Sequence, residues 1–177
     1  MYKTVLFDLD GTLLNTIDDL ADSANRVCAA HGWPQYETAQ YRYFVGNGIP
    51  KLVERFSPAS CRSPEQLAAT LAEFDKVYGA HMHDKTAPYP GMPALLARLK
   101  AEGARMCICS NTWADQCKEV LTRLGVADYF EFFCTAQGAK SKAHPAVFHE
   151  VLGRLGGSDP ADAVVCEDAV YASRTAK

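Results

Sequence analysis

A chain of 177 residues, set against roughly 150 per domain, holds one domain or one domain with a sizeable insertion. With 48% apolar and 22% charged residues it lies in the globular range, which excludes a disordered, collagen-like or low-complexity chain. Eighteen Lys and Arg against 21 Asp and Glu leave a net charge of −3, so neither a nucleic acid nor an anionic membrane is expected as a partner, and any bound anion must be held locally. No apolar stretch approaches the roughly 20 residues of a membrane span. Asp8 and Asp10 interrupt the apolar run near the N-terminus, which leaves no signal-peptide core and predicts a soluble, cytoplasmic protein.

In chain order, four short apolar runs carry strand character, and each ends in polar residues: Thr4 to Phe7 into Asp8, Arg105 to Cys109 into Ser110 and Asn111, Phe132 to Cys134 into Thr135, and Ala163 to Cys166 into Glu167 and Asp168. Helical patterning separates the later runs. Leu95, Leu96 and Leu99 precede Gly103; Val120, Leu121 and Leu124 stop at Gly125; Val147, Phe148, Val151, Leu152 and Leu155 stop at Gly156. The alternation predicts an α/β fold, a Rossmann-like parallel sheet. Residues 1–15 and 86–177 are expected to form this core, and 16–85, which lack a convincing strand, an inserted α-helical subdomain. The insertion has helical spacing at Ile17, Leu20, Ala24 and Val27 behind a Thr16 cap with Asp19 three residues on, a tight Gly46-Asn47-Gly48 turn, and helical spacing at Leu67, Leu71, Phe74 and Tyr78. The seven cysteines are odd in number, and four sit in or at the ends of strand runs, as buried reduced thiols do. Cys107 and Cys109 lack a second pair at zinc-ligand spacing.

In an open parallel sheet function gathers at the carboxyl ends of the strands, and here those ends carry Asp8, Asp10, Ser110, Asn111, Glu167 and Asp168. Asp8-Leu9-Asp10-Gly11-Thr12 is an acidic pair with glycine directly after a buried strand, a place to hold a divalent cation. Mg²⁺ there relieves the repulsion between carboxylates and clamps a phosphoryl oxygen, so that Asp8 can attack phosphorus while Asp10 moves the proton.

With these residues the sequence resembles the haloacid dehalogenase superfamily, whose phosphatases begin with D-x-D-G-T. Ser110 followed by Asn111 looks like its second motif; Lys142-Ala143-His144-Pro145 resembles its third, with Ala for the first Pro; Glu167-Asp168 fits its fourth. The resemblance implies Asp8 as nucleophile, Asp10 as acid and base, Ser110, Asn111 and Lys142 as phosphate ligands, and Mg²⁺ held by Asp8, the Asp10 carbonyl and Asp168 with Glu167 in the outer shell. An acid at position 10 implies a phosphatase or phosphomutase rather than a dehalogenase. Phe44-Val45-Gly46-Asn47-Gly48 followed by Leu52-Val53-Glu54-Arg55, together with Tyr89-Pro90-Gly91, resembles the phosphoglycolate phosphatase-like branch, with a small helical cap and a small phosphorylated substrate. A β-phosphoglucomutase-like reading stands beside it.

Plainer readings accompany each residue. Ser110 can be a helix cap, and Lys140 competes with Lys142. Gly46, Asn47 and Gly48 can form a structural turn rather than a substrate loop. His81 and His83 lack a third ligand, and Trp113 walls the site or merely packs. Relatives of the family continue through a further strand and helix after the fourth motif, and their Ser and Gly there correspond to Ala169 and Ala172. A missing edge strand favours a homodimer, and raises the alternative of a truncated, weakly active or non-catalytic binding protein.

Overall fold

The computed structural model describes residues 2–135, 142, 146–156 and 159–168. The chain forms two compact units, Met1–Asn15 with Pro88–Lys177, and Thr16–Ala87. The elements in chain order are β1 (Thr4–Phe7), β2 (Leu14–Asn15), α1 (Ile17–Ala30), α2 (Thr38–Tyr41), α3 (Ile49–Phe56), α4 (Pro64–His81), β3 (Ala87–Pro88), α5 (Met92–Ala101), β4 (Arg105–Ser110), α6 (Ala114–Arg123), β5 (Phe133–Thr135), α7 (Ala146–Arg154) and β6 (Ala163–Cys166). The short strands β2 and β3 pair with each other where the chain leaves the first unit and returns to it.

The first unit is built on a parallel sheet in the order β5-β4-β1-β6. Alternation along the strands explains why both of its faces are covered. Val5, Phe7, Met106 and Ile108 pack with Leu96 of α5 and with Cys117, Val120 and Leu121 of α6. Leu6, Cys107 and Cys109 point the other way, against Val147, Phe148, Val151 and Leu152 of α7. Each fully buried side chain of this kind contributes about 1.5–3 kcal/mol relative to exposure. The register sets Phe7 opposite both Ile108 and Cys166, so β1 and β6 finish level and release Asp8 and Glu167, while β4 runs two residues further and ends on Ser110 at the same edge of the sheet. Successive strands run outward from β1 through β4 to β5, and β6 then returns to the other flank of β1. A reversal of this kind opens a crevice at the carboxyl edge.

The second unit is helical, with a core of Leu20, Ala24 and Val27 from α1, Tyr41 from α2, Leu52, Val53 and Phe56 from α3, and Phe74 and Tyr78 from α4. Asn25 ties two of its aromatic residues together: the Tyr41 hydroxyl donates to Asn25 Oδ1 at 2.8 Å, and Asn25 Nδ2 donates to the Tyr36 carbonyl at 2.8 Å. Ser63 caps α4 by accepting from the Gln66 amide, with Pro64 behind it at the start of the helix. At α1 the expected capping box does not form. The Thr16 side chain makes no cap hydrogen bond, and the Asp19 carboxylate turns instead to Lys85 and Thr86.

All seven cysteines are free thiols. Burial pushes Cys28 up to about 11 and Cys107 up to about 12, and burial also raises Cys117. Because the thiolate is the reactive form, a thiol reagent at pH 7.5 is expected to modify the half-buried Cys61 at least about tenfold faster than Cys28, Cys107, Cys109, Cys117 or Cys134, which wait for opening of the fold. Time-resolved labelling with peptide mapping checks this order.

Candidate active site

Strand β1 ends at Phe7, and the Asp8 amide donates to the Cys166 carbonyl at 2.9 Å, which ties the next residue to the end of β6. The chain then turns sharply: the Leu13 and Leu14 amides both donate to the Leu9 carbonyl, and the Gly11 amide donates to the Leu14 carbonyl at 2.9 Å. Gly11 takes φ +85°, and a Cβ added there would come within 2.5 Å of Asp168 Oδ2. Glycine is therefore required twice, for the backbone conformation and for the close approach of the Asp168 carboxylate.

Lys142 stands between two of the carboxylates at this edge. Its Nζ donates to Asp8 Oδ1 in a short contact and to Glu167 Oε2 at 2.7 Å, and its backbone amide donates to Asn111 Oδ1 at 3.3 Å. The three side chains are 2–5% exposed, so this ion triad is shielded from water. Burial, together with the charges of Glu167 and Asp10, pushes the Asp8 carboxyl up to about 8 against the opposing pull of Lys142. For Lys142 burial disfavours the charged form, but Asp8 and Glu167 together outweigh it and hold the ammonium protonated.

Oxygen atoms of Asp8, Glu167 and Asp168 lie within 4.8 Å of one another, the one grouping of acidic, His or Cys side chains among the described residues that could hold a metal ion. Asp8, Asp10, Glu167 and Asp168 bring four carboxylates to an edge where Lys142 supplies one ammonium. A hard divalent cation such as Mg²⁺ fits the all-oxygen donors and this charge imbalance.

Two further side chains set the geometry. Asp10 Oδ2 accepts a hydrogen bond from Thr112 Oγ1 at 2.6 Å. The Thr112 amide in turn donates to Ser110 Oγ at 3.0 Å. Ser110 is 1% exposed and does not cap α6, a position taken by Trp113, whose own side chain is 42% exposed and makes no cap hydrogen bond. Thr112 was not singled out by sequence; its one signal is that it continues the polar run Ser110-Asn111 beyond a buried strand.

The structure thus gathers Asp8, Asp10, Ser110, Asn111, Lys142, Glu167 and Asp168 at one edge of one unit. Lys140, Ala143 to Pro145, Ala169 and Ala172 lie outside the described residues. Gly46, Asn47 and Gly48 belong to the helical unit, where Gly46 and Gly48 take φ +100° and +86° and Gly48 precedes α3. Arg55 secures this loop, donating to the Phe44 carbonyl at 2.7 Å and to Asn47 Oδ1 at 2.8 Å. His81 lies 2.7 Å from Asp84 and 3.2 Å from Arg26. Cys107 and Cys109 are core residues. No helix among the described residues is long and apolar enough to cross a membrane.

The family model for haloacid dehalogenase-like hydrolases matches residues 5–177. A phosphoglycolate phosphatase of Cereibacter sphaeroides is 34% identical over 129 residues, covering 72% of this chain and 59% of the relative. One from Caulobacter vibrioides is 33% identical over 171 residues, covering 94% of this chain and 71% of the relative. Among solved structures, that of a predicted phosphoglycolate phosphatase from Haemophilus somnus superposes with a TM-score of 0.90 at 26% identity, covering 99% of this chain and 82% of the other. CbbY from Rhodobacter sphaeroides, solved in complex with phosphate, superposes with a TM-score of 0.81 at 25% identity, covering 99% and 82%. By the match along residues 5–177, the chain belongs to the haloacid dehalogenase-like hydrolase family.

Proposed function

We propose that the chain is a Mg²⁺-dependent phosphohydrolase that removes phosphate from a small metabolite of the phosphoglycolate kind through an aspartyl-phosphate on Asp8. The observation that carries this reading is the buried Asp8 carboxylate, held by Lys142 beside Glu167 and Asp168, with Asp10 two residues away in the grip of Thr112. Phosphatase relatives and a neighbouring structure with bound phosphate support it.

Lys142 fixes the rotation of the Asp8 carboxylate, and an Asp8 oxygen attacks phosphorus as the bond to the leaving oxygen breaks. Asp10 gives its proton to that oxygen, then takes one from the water that attacks the phosphorus of the acyl phosphate and frees Asp8. Ser110, Asn111 and Lys142 hold the phosphoryl oxygens, Ser110 placed by the hydrogen bond it accepts from Thr112. Asp8 and Asp168, the Asp10 carbonyl and, further out, Glu167 would hold Mg²⁺, which supplies charge for the phosphoryl oxygens. The Thr16–Ala87 unit acts as the cap over small substrates, with Gly46 to Gly48 as the specificity loop. The free thiols fit the reducing cytoplasm.

The test is phosphate release from phosphoglycolate, p-nitrophenyl phosphate and a sugar bisphosphate, with and without Mg²⁺. The bisphosphate is included because CbbY has been solved with xylulose-1,5-bisphosphate. Metal-dependent release supports the reading, and a folded chain that releases no phosphate sinks it.

The two roles of Asp10 separate by leaving group. Asp10→Asn keeps an oxygen for Thr112 but carries no proton to exchange. On phosphoglycolate kcat is expected to fall about 10²–10⁴-fold. On p-nitrophenyl phosphate, whose leaving group needs no acid, the variant is expected to give a stoichiometric burst of p-nitrophenol and then slow turnover. Stopped-flow absorbance checks this, and loss of the burst along with the steady rate contradicts the assignment.

A further inference from the structure

Helix α1 carries Asp19, Asp22 and Arg26 at spacings i, i+3 and i+7, which is one stripe of its surface. All three engage the same stretch, residues 81–86, by which the chain leaves the helical unit. The Asp19 carboxylate is 2% exposed and accepts from the Lys85 amide at 3.0 Å, from the Thr86 amide at 2.8 Å and from the Thr86 hydroxyl at 2.7 Å. Asp22 Oδ2 accepts from Lys85 Nζ at 2.7 Å, and Arg26 Nη1 lies 3.2 Å from His81 Nε2, whose ring is 2.7 Å from Asp84 on its other nitrogen. Burying a carboxylate is costly unless its lone pairs are filled by good donors. Here the filling donors come from 66 and 67 residues further along the chain. The helix itself gains no capping box from this side chain.

Only two short stretches of chain join the units, Asn15 to Thr16 and Ala87 to Pro88. We propose that Asp19 is a positioning residue: by fastening Lys85 and Thr86 to the first turn of α1, it locks the outgoing crossing beside the incoming one. Both ends of residues 16–87 are thereby held on one helix, and the share of molecules with an ordered, binding-competent helical unit is kept high. This rests on the phosphohydrolase reading. Without the clasp the outgoing crossing frees itself from α1, the competent fraction falls, and the apparent affinity for substrate falls in proportion. The bond-making residues are untouched, so the effect belongs in KM rather than kcat.

Asp19→Asn removes the charge and one acceptor; Thr86→Val removes a single donor at nearly constant shape and carries the test if the first variant fails to fold. Both are studied in the full chain with Mg²⁺ and phosphoglycolate, at a temperature where each is folded by circular dichroism. Amide exchange at Lys85 and Thr86 is expected to quicken about tenfold or more in Asp19→Asn and less in Thr86→Val. KM is expected to rise about 5–20-fold and 2–5-fold respectively, with kcat within about twofold of wild type. Faster exchange with an unchanged KM overturns the positioning role, since a merely structural contact gives that result. Unchanged exchange overturns the clasp itself. A wild-type chain that turns over none of the phosphate esters overturns the phosphohydrolase reading and the positioning role with it, while exchange still decides the clasp.

Discussion

Asp8→Asn is expected to lower phosphate release by at least about 10³-fold with no loss of fold stability, because it removes a nucleophile and not a packing element. Asparagine has nearly the shape of aspartate, so Phe7, Leu9 and the strand end keep their positions. Its amide oxygen can still accept from Lys142, which also keeps Glu167 at 2.7 Å. Electrostatics point the same way. The edge holds an excess of carboxylates over its one ammonium, and burial, Glu167 and Asp10 already work against ionising Asp8. Exchanging that carboxylate for a neutral amide relieves repulsion, so the metal-free variant is expected to melt at or above the wild-type temperature. A calorimetric scan in chelator, set beside the rate of phosphate release, reads both effects. Large loss of activity together with a lowered melting temperature would make Asp8 a structural residue instead.

Lys142→Met is expected to act in the opposite sense on stability and the same sense on activity. Methionine fills most of the space of the lysine stem but leaves Asp8 and Glu167, 5% and 2% exposed, facing each other without a cation. Removing one partner from a buried ion cluster costs about 3–5 kcal/mol. Urea unfolding in chelator is expected to show a loss of that order, and added Mg²⁺ to restore part of it by supplying charge among the same oxygens. Turnover is expected to fall at least about 10²-fold, since the phosphoryl oxygens lose a cation and the Asp8 carboxylate loses the donor that fixes its rotation. A variant as stable as wild type in chelator contradicts the ion triad.

Most of the residues gathered at the carboxylate-rich edge were legible in the sequence because their placement obeys local rules. A buried parallel strand is a short apolar run, and the residues following it are fixed in place by the strand itself, so Asp8, Ser110, Asn111, Glu167 and Asp168 could be read from position alone. Lys142 was legible through register, since Phe148 marks the helix behind it and packs against the sheet. The strand order β5-β4-β1-β6 was not legible: the runs are equally apolar, and pairing depends on which face each crossover helix covers. Thr112 escaped because a threonine in a polar loop looks like any other, and its bond to Asp10 spans 102 residues. Asp19 was misread for the same reason. At the third position of a helix behind a threonine it matches a local capping pattern, while its actual partners, Lys85 and Thr86, lie at the far end of the inserted unit. Helix α3 was missed although Ile49, Leu52, Val53 and Phe56 follow the i, i+3, i+4, i+7 spacing behind Gly48 and Pro50; two turns are too short a window for periodicity to stand out.

The central claim is that Asp8 carries the phosphoryl group between substrate and water. The measurement that meets it most directly is chemical trapping during turnover: reduction of the working protein with borohydride, followed by mass spectrometry of the peptide that contains Asp8. An acyl phosphate at Asp8 is reduced to the corresponding alcohol, and the conversion is expected to require both substrate and Mg²⁺ and, with p-nitrophenyl phosphate, to be enhanced in Asp10→Asn, where the intermediate accumulates. An Asp8 peptide that stays unmodified in a preparation releasing phosphate would contradict the account.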